Sequence, residues 1–468
     1  MKPGTWRKQH KWSGIVLSFF LLMLCLSGIV LNHRPLVADV NINRGLLPPW
    51  YRFAHWNNGL LRGTLPLDSD SVLIYGSAGL FIANGDSVAD FNSGLPAGAD
   101  RRAIRSVVRT SDGQLFALSQ FNLFSRDPKA KVWAEIPLPR DPEDERLSDL
   151  CLHGDTLLVV ARTNLYLTTL TTLPQPARWT CLPVATPDGY SPSSSLFKTL
   201  WRLHSGELFG LTGKLIADAI ALIFLFLLVS GLILWAGRHP RLMRWHNKIG
   251  RSTILLTFLI VLTGWCLRPP LMVPLVLTHT KPLTSESPWH DKLRALRYDE
   301  QIGDWILHTS NGFFSLSTLH ATPVALTAAP PVSVMGINVW ERNDQGDWLV
   351  GSFSGMSIWE RSEGCVYDYT TGLLLDPSQR GAPFGQVAVS GYSPHFPHGP
   401  HLVTYGGGTD ALPQPASLSR LPMSLWNVAL EVHTGRIYFG NAATYFWIFL
   451  IGLLTFWCLW SGWKMRRH

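Results

Sequence analysis

The chain has 468 residues, of which 46% are hydrophobic and 15% are charged, and its formal net charge is +8. Three short pieces beside apolar runs hold 12 of the 40 basic residues and none of the 32 acidic ones, which leaves 28 basic against 32 acidic residues elsewhere. The positive charge is therefore a signal of membrane topology, and it gives no ground for nucleic-acid binding.

Four apolar runs are long enough, or nearly long enough, to cross a bilayer, which takes about 20 residues. They cover residues 12–32, 219–237, 252–267 and 437–463. The first run is expected to be a retained anchor rather than a cleaved signal peptide, because no small-residue cleavage site follows it. Short loops rich in Lys and Arg stay in the cytoplasm, so both termini and the loop between the second and third spans are predicted to lie inside.

These signals predict a four-helix transmembrane bundle with two large external segments. The predicted order is the cytoplasmic N-terminus and first span at 1–33, periplasmic segments at 34–203 and 268–432, further spans at 204–237, 249–267 and 433–463, a cytoplasmic loop at 238–248 and a cytoplasmic tail at 464–468.

Both external segments contain a repeated pair of apolar strands. In the first segment the second strands are marked by Leu80, Leu123 and Leu165, which are 43 and 42 residues apart. In the second segment the corresponding residues, Phe313 and Met356, are again 43 apart. Repeats of about 40 to 50 residues with this β-strand content are typical of β-propeller blades. We therefore predict one all-β periplasmic domain, a propeller built from both segments; two β-sandwich domains are the alternative.

The first external segment also holds two cysteines, Cys151 and Cys181. A disulfide between them can form in the oxidising periplasm, and the sequence alone leaves this open.

The membrane half is an internal duplication with histidines at equivalent positions. The first and third spans begin at His10 and His246, and short His-x-Gly motifs with His204 and His433 precede the second and fourth. Each span also carries a small pair, namely Ser27-Gly28, Ser230-Gly231, Thr263-Gly264 and Ser461-Gly462. A pseudo-twofold axis would place His10 opposite His246 at the cytoplasmic edge, and His204 opposite His433 at the periplasmic edge.

A fifth histidine, His33, ends the first span and breaks the symmetry, because the matching position is Pro269. Neutral imidazole is a good axial ligand for haem iron. We predict two b-type haems, one held by His10 and His246 and one by His204 and His433, with His33 as a substitute outer ligand. The sequence holds no CxxCH motif for covalent attachment. The alternative is that these histidines are polar residues of the membrane interface.

The motifs around these histidines resemble the PepSY-associated transmembrane family, which includes iron-regulated inner-membrane proteins and ferrisiderophore reductases. The resemblance rests on His10-Lys-Trp-Ser-Gly, Leu31-Asn-His33, Leu203-His204-Ser-Gly, Trp245-His246-Asn-Lys-Ile-Gly and Val432-His433-Thr-Gly. Members look like di-haem proteins that pass electrons outward, so the resemblance implies an oxidoreductase similar to ferric reductases. The external segments show no PepSY-type domain, which leaves the electron acceptor open.

The expected function is that of a di-haem electron carrier in the bacterial inner membrane. Its partners would be the lipid bilayer and a periplasmic ferric siderophore or other ferric complex. The electrons would come from a quinol or a separate cytoplasmic reductant, because the predicted cytoplasmic pieces are too small for a flavin or nicotinamide domain. The rival function is a non-enzymatic one, in which the helices anchor a propeller that binds a periplasmic ligand or partner.

Overall fold

The computed structural model describes residues 3–140, 145–172, 178–283, 287–333, 335–378, 381, 385–396, 399–440 and 443–465. The chain forms two compact units. A membrane unit is built from Met1–Ile42, Ser191–Ser285 and Met423–His468, and a β unit from Asn43–Tyr190 and Glu286–Pro422. Both units thus contain pieces that are far apart in sequence.

The membrane unit is helical. Its helices are α1 (Pro3–Asn32), α2 (Arg34–Val37), α3 (Leu196–His204), α4 (Gly210–Ala236), α5 (Pro240–Ser252), α6 (Ile254–Cys266), α7 (Met272–Leu277), α8 (Leu425–Thr434), α9 (Arg436–Phe439) and α10 (Ala443–Lys464). Three stretches, Gly4–Asn32, Glu207–Ala236 and Ala443–Lys464, are long and apolar enough to cross a membrane. Helices α5 and α6 form a fourth span if they are counted together, although they bend by 64° at their junction. The prediction of transmembrane helices is confirmed.

The boundaries of the spans differ from the prediction in two ways. The loop expected at 238–248 lies largely within helix α5, whose first turn contains Pro240. The second span does not run continuously from His204, because α3 ends at that residue and α4 begins only at Gly210. Gly206 and Gly210 have φ angles of 79° and 59°, and a left-handed backbone of this kind ends a helix.

The two halves of the membrane unit repeat one order of elements. Helix α3 and helix α8 each follow a two-residue strand, and each is capped by a serine, Ser195 or Ser424, whose hydroxyl accepts from the backbone three residues on. Each helix is followed by a break and then by a long span. In the second half the break lies at Gly435 and Gly440, with φ angles of 78° and 64°. His204 is the last residue of α3 and His433 the next-to-last residue of α8, so the two histidines lie near the C-terminal ends of equivalent short helices.

The β unit consists of antiparallel sheets, which confirms the predicted all-β domain. Sheet I contains Gly63–Pro66, Ser71–Gly76, Gly79–Asn84 and Ser87–Asp90. Sheet II contains Ile104–Arg109, Leu115–Ser119, Leu123–Arg126 and Ala134–Ile136. Sheet III contains Leu147–His153, Thr156–Ala161, Leu165–Thr169 and Thr180–Leu182.

The second part of the β unit continues the series. Sheet IV contains Leu293–Asp299, Asp304–Thr309, Gly312–Leu316 and Val324–Ala325. Sheet V contains Ile337–Arg342, Trp348–Ser352, Gly355–Glu360 and Cys365–Asp368. Sheet VI has two strands, Val389–Ser393 and His401–Thr404. The repeated sequence pattern is the middle pair of strands in sheets I to V.

Buried apolar clusters join consecutive sheets. One example is the cluster of sheets III and IV, in which Leu158 and Val160 pack with Leu296 and Leu307. Equivalent clusters join I to II, II to III, IV to V and V to VI. A further cluster brings Ile74 and Phe81 of sheet I together with Val403 of sheet VI. Burial of these alternating apolar side chains is the main stabilising contribution to the β unit.

Cys151 and Cys181 do not form a disulfide in the structure, and all six cysteines are free. Cys151 lies on the first strand of sheet III and Cys181 on the fourth, with two strands between them. Neighbouring strands are about 4.8 Å apart, so these cysteines are separated by roughly 14 Å, twice the reach of a disulfide.

Candidate functional site: two histidine pairs

Four histidines of the membrane unit lie in two facing pairs. The ring centroids of His10 and His246 are 6.5 Å apart, with an interplanar angle of 69°. The centroids of His204 and His433 are 6.2 Å apart, with an angle of 51°. We call these the first and the second histidine pair. They are the pairs that the duplicated motifs predict.

A hydroxyl group from another helix holds most of these rings at Nδ1. In the second pair, His204 Nδ1 lies 3.0 Å from Thr263 Oγ1 and His433 Nδ1 lies 3.1 Å from Ser27 Oγ. In the first pair, His246 Nδ1 lies 2.8 Å from Ser230 Oγ. Each of these hydroxyls also donates to a carbonyl of its own helix. The histidine Nδ1–H can therefore donate to the hydroxyl oxygen, which fixes the tautomer and the ring orientation.

The fourth ring, that of His10, follows the same plan with a different main partner. Its Nδ1 lies 3.0 Å from the carbonyl oxygen of Cys458, and the hydroxyl of Ser461 is 3.4 Å away. A carbonyl oxygen can only accept, so Nδ1 of His10 carries the proton.

The glycine of each small pair lets the ring approach the helix. An added Cβ at Gly264 would lie 2.8 Å from His204 Cε1, and one at Gly462 would lie 3.0 Å from His10 Cε1. The equivalent distances are 3.3 Å at Gly28 and 3.6 Å at Gly231. The Ser/Thr supplies the hydrogen bond and the glycine supplies the space. The sequence analysis noted these small pairs but did not predict that they receive the histidines. The available signal was their recurrence at equivalent positions, with Ser27 17 residues after His10 and Thr263 17 residues after His246.

The other ring nitrogen, Nε2, is left for a ligand. Among the described residues, none forms a hydrogen bond with Nε2 of His10, His204, His246 or His433. With Nδ1 as donor, the lone pair of Nε2 is available to a metal ion. In this tautomer each of the four rings can bind a metal ion through Nε2.

The spacing within each pair matches two axial ligands of one iron. An imidazole nitrogen lies about 2 Å from a bound metal ion and the ring centre roughly 1 Å further, so two rings that share an ion have centres about 6 Å apart. The described part of the chain contains no group of three or more His, Cys, Asp or Glu residues that could hold a metal. Two imidazoles suit an iron that brings its own equatorial nitrogens, which is the case in haem.

A family model describing the PepSY-associated TM region matches residues 7–466. The chain belongs to this family. The match includes both histidine pairs and confirms the resemblance drawn from their motifs. No protein of curated function matches the chain.

Several solved structures resemble this PepSY-associated protein weakly. The extracellular domain of BT4673 from B. thetaiotaomicron has 13% identity and a TM-score of 0.36, with 76% of this chain and 38% of that one covered. The extracellular domain of BT3049 from the same organism has 10% identity and a TM-score of 0.30, with 68% of this chain and 30% of that one covered. PorZ, a surface component of the type-IX secretion system of Porphyromonas gingivalis, has 9% identity and a TM-score of 0.34, with 74% of this chain and 37% of that one covered. The chain thus spans well under half the length of these structures.

His33 occupies a different position in this PepSY-associated protein. Its Nε2 lies 2.7 Å from Oδ2 of Asp218, and the other carboxylate oxygen accepts from the side chain of Asn32 at 2.9 Å. Asp218 is largely buried, with 12% of its side chain exposed. Within the described residues, His33 is thus hydrogen-bonded to a carboxylate, whereas the other four predicted site residues face a second histidine.

Proposed function

We propose that this chain is a di-haem electron carrier of the bacterial inner membrane that reduces a periplasmic acceptor. One b-type haem would be held by His10 and His246, and the other by His204 and His433. The observation that carries the proposal is the presence of two histidine pairs in which every Nδ1 is hydrogen-bonded and every Nε2 is available. Because His33 is engaged with Asp218, His204 rather than His33 is proposed as the outer ligand.

The position of the two pairs along α1 supports transfer across a bilayer. Helix α1 carries His10 of the first pair, and it carries Ser27, which contacts His433 of the second. Seventeen residues of helix span about 26 Å, close to the bilayer hydrocarbon thickness of about 30 Å. The two sites would therefore lie near opposite faces of the membrane.

The role of the protein would be to hold the two haems, to orient their imidazole ligands and to set their redox properties. Haem iron supplies one-electron chemistry, because it cycles between the ferric and ferrous states. The Ser and Thr hydroxyls keep each imidazole in one tautomer, and a hydrogen bond at Nδ1 raises the basicity of Nε2 as a ligand. The four histidines are half-buried between the helices. In the proposed reaction a quinol or a separate cytoplasmic reductant is oxidised, and a ferric siderophore or other ferric complex is reduced to the ferrous form.

The β unit is proposed to be a six-bladed propeller on the periplasmic side. The apolar clusters between consecutive sheets, including the one that joins sheet VI to sheet I, support a closed ring. An experimental structure in which sheets I and VI do not touch would contradict this arrangement.

The topology is proposed from the basic segments that flank the spans. Reporter fusions behind Arg467 should behave as cytoplasmic, whereas fusions at Asp188 and Asp376 should behave as periplasmic. A periplasmic reporter behind Arg467 would overturn the four-span arrangement.

The functional test is an absorption spectrum of protein purified from haem-replete cells, followed by an electron-transfer assay. We expect a Soret band and the sharp reduced α-band of six-coordinate haem. In proteoliposomes, a quinol should reduce a membrane-impermeant acceptor enclosed inside, and His433→Ala should abolish this. A protein without Soret absorbance would instead support the non-enzymatic function, an anchored domain that binds a ligand; a cavity in the β unit favours this as the second candidate.

A further inference from the structure

The β unit contains a cavity of about 620 Å³ lined by arginines. Arg62 precedes the first strand of sheet I, Arg105 lies on the first strand of sheet II, and Arg162 follows the second strand of sheet III. Arg294 and Arg297 lie on the first strand of sheet IV. Four sheets thus contribute guanidinium groups to one cavity, and Arg62 and Arg105 are 43 residues apart, the same spacing as Leu80 and Leu123.

The cavity holds more positive than negative charge. Its lining includes two acidic residues, Asp149 and Glu341. Asp149 is paired with Arg297 at 2.5 Å. Burial raises the pKa of Glu341 to about 7, so this residue is only partly ionised at neutral pH. The acidic groups of the lining therefore neutralise little more than one of its six arginines, the sixth being Arg109.

Three of the arginines donate only to uncharged groups. Arg62 donates to the carbonyl of Ile337 at 2.8 Å, and Arg294 to the carbonyl of Leu293 at 2.9 Å. Arg105 has one contact of 3.5 Å with the side-chain oxygen of Gln120. None of the three forms an ion pair with a described residue. Arg162, by contrast, is paired with Asp291 at 2.9 Å.

This arrangement is electrostatically unfavourable without a counter-ion. Burial, together with repulsion from Arg62, Arg162 and Arg294, lowers the pKa of Arg105 to about 9. Burial, with repulsion from Arg162, also lowers the pKa of Arg294 to about 10. Guanidinium groups form two parallel hydrogen bonds with carboxylate or phosphate oxygens, so an anion of either chemistry would satisfy these donors and relieve the repulsion.

We propose that this cavity is a binding site for a small multivalent oxyanion that carries carboxylate or phosphate groups. Its volume is typical of small-molecule sites, and Arg62, Arg105 and Arg294 are the recognising residues. The inference goes beyond the electron-carrier function and does not depend on it, because every group involved belongs to the β unit. An anionic chelator of ferric iron has the charge that the site recognises.

The test is a calorimetric titration of the full-length protein in detergent with citrate, with pyrophosphate and with acetate, at constant ionic strength. We expect saturable binding of at least one multivalent anion, and acetate at least tenfold weaker. Binding of citrate alone or of pyrophosphate alone would assign the site to carboxylates or to phosphates, and both results support it. Arg62→Gln and Arg105→Gln should each weaken binding at least tenfold, and Arg420→Gln, at an exposed position, should not.

The unfolding temperature is a second measurement, and it shows whether a variant that fails to bind the anion is still folded. Since Arg105 is repelled by its neighbours, Arg105→Gln should raise the unfolding temperature of the anion-free protein, and added anion should stabilise the original protein more than the variant. Absence of saturable binding for both multivalent anions, or unchanged affinity in folded Arg62→Gln and Arg105→Gln proteins, would overturn the proposal. The His433→Ala variant, which should lack the haem of the second pair, should bind the anion normally, and this separates the anion-binding result from the electron-transfer tests.

Discussion

His204 Nδ1 lies 3.0 Å from Thr263 Oγ1, and the duplicated half repeats this contact between His433 and Ser27 at 3.1 Å. The same short motif on each span therefore acts as the docking point for a histidine of another helix. This relationship links the duplication of the sequence to the chemistry proposed for the site, because a ring held at Nδ1 presents Nε2.

Removing the hydroxyl of Thr263 should weaken the second site without unfolding the protein. Thr263→Val keeps the shape of the side chain but leaves His204 Nδ1 without its partner. Loss of such a supporting hydrogen bond lowers metal affinity by about 10- to 100-fold, so the haem of this site should be lost on dilution. The measurement is haem content after purification, together with the midpoint potential of the haem that remains.

Thr257→Val is the matched control for this change. Thr257 is buried on the same helix, and among the described residues its hydroxyl forms a hydrogen bond only with the carbonyl of Ile254. The control should keep both haems. An equal loss of haem in the two variants would show that the effect comes from the helix and not from the contact with His204.

Alanine at the glycine beside His204 should displace the ring. The added Cβ at Gly264 would lie 2.8 Å from His204 Cε1, closer than side chains normally approach. At Gly231 the same addition would lie 3.6 Å from His246, an ordinary contact. Reduced-minus-oxidised spectra should therefore show one haem lost or shifted in Gly264→Ala and a nearly unchanged spectrum in Gly231→Ala. Equal effects of the two substitutions would contradict the role assigned to the glycines.

The β unit should lose stability in acid through Asp299. Burial of this carboxyl opposes ionisation, but hydrogen bonds from Arg361, Trp348 and Arg342 outweigh burial and lower its pKa. A lowered pKa contributes stability that is present above the unfolded value of about 4 and is lost as the pH falls towards the folded value. Asp299→Asn should destabilise the β unit by about 3 kcal/mol at neutral pH, because it breaks a buried ionic network.

The measurement is thermal unfolding of the full-length protein, followed by tryptophan fluorescence at several pH values. The difference between the original protein and Asp299→Asn should shrink as the pH falls below about 4. Asp344→Asn, at an exposed position, serves as the control and should not change the unfolding temperature. A difference that stays constant down to the lowest pH would show that ionised Asp299 is not the stabilising form.

The pairing of the histidines could be predicted from the sequence because duplication relates equivalent positions through one axis. The spacing of Leu80, Leu123 and Leu165 likewise predicted the middle strands of the β-sheets. Both predictions used regular repetition along the chain, which the fold preserves.

Other features depend on backbone conformation or on contacts between residues far apart in the sequence, so regular repetition along the chain could not predict them. The break after His204 follows from the left-handed backbone at Gly206, whereas apolar composition alone favoured a continuous span. The pairing of His33 with Asp218 joins residues 185 positions apart. The sequence analysis did not identify the arginine cavity, although Arg62 and Arg105 are separated by the 43-residue repeat, because only the packing of the sheets brings Arg62, Arg105 and Arg294 to one cavity.

The central claim is tested most directly by the haem-to-protein ratio of the purified chain and of four single variants, His10→Ala, His246→Ala, His204→Ala and His433→Ala. We predict two haems per original chain and about one per variant. The spectra of His10→Ala and His246→Ala should match each other, as should those of His204→Ala and His433→Ala, because each pair would share one iron. Original protein without haem, or four variants that all keep two haems, would contradict the account.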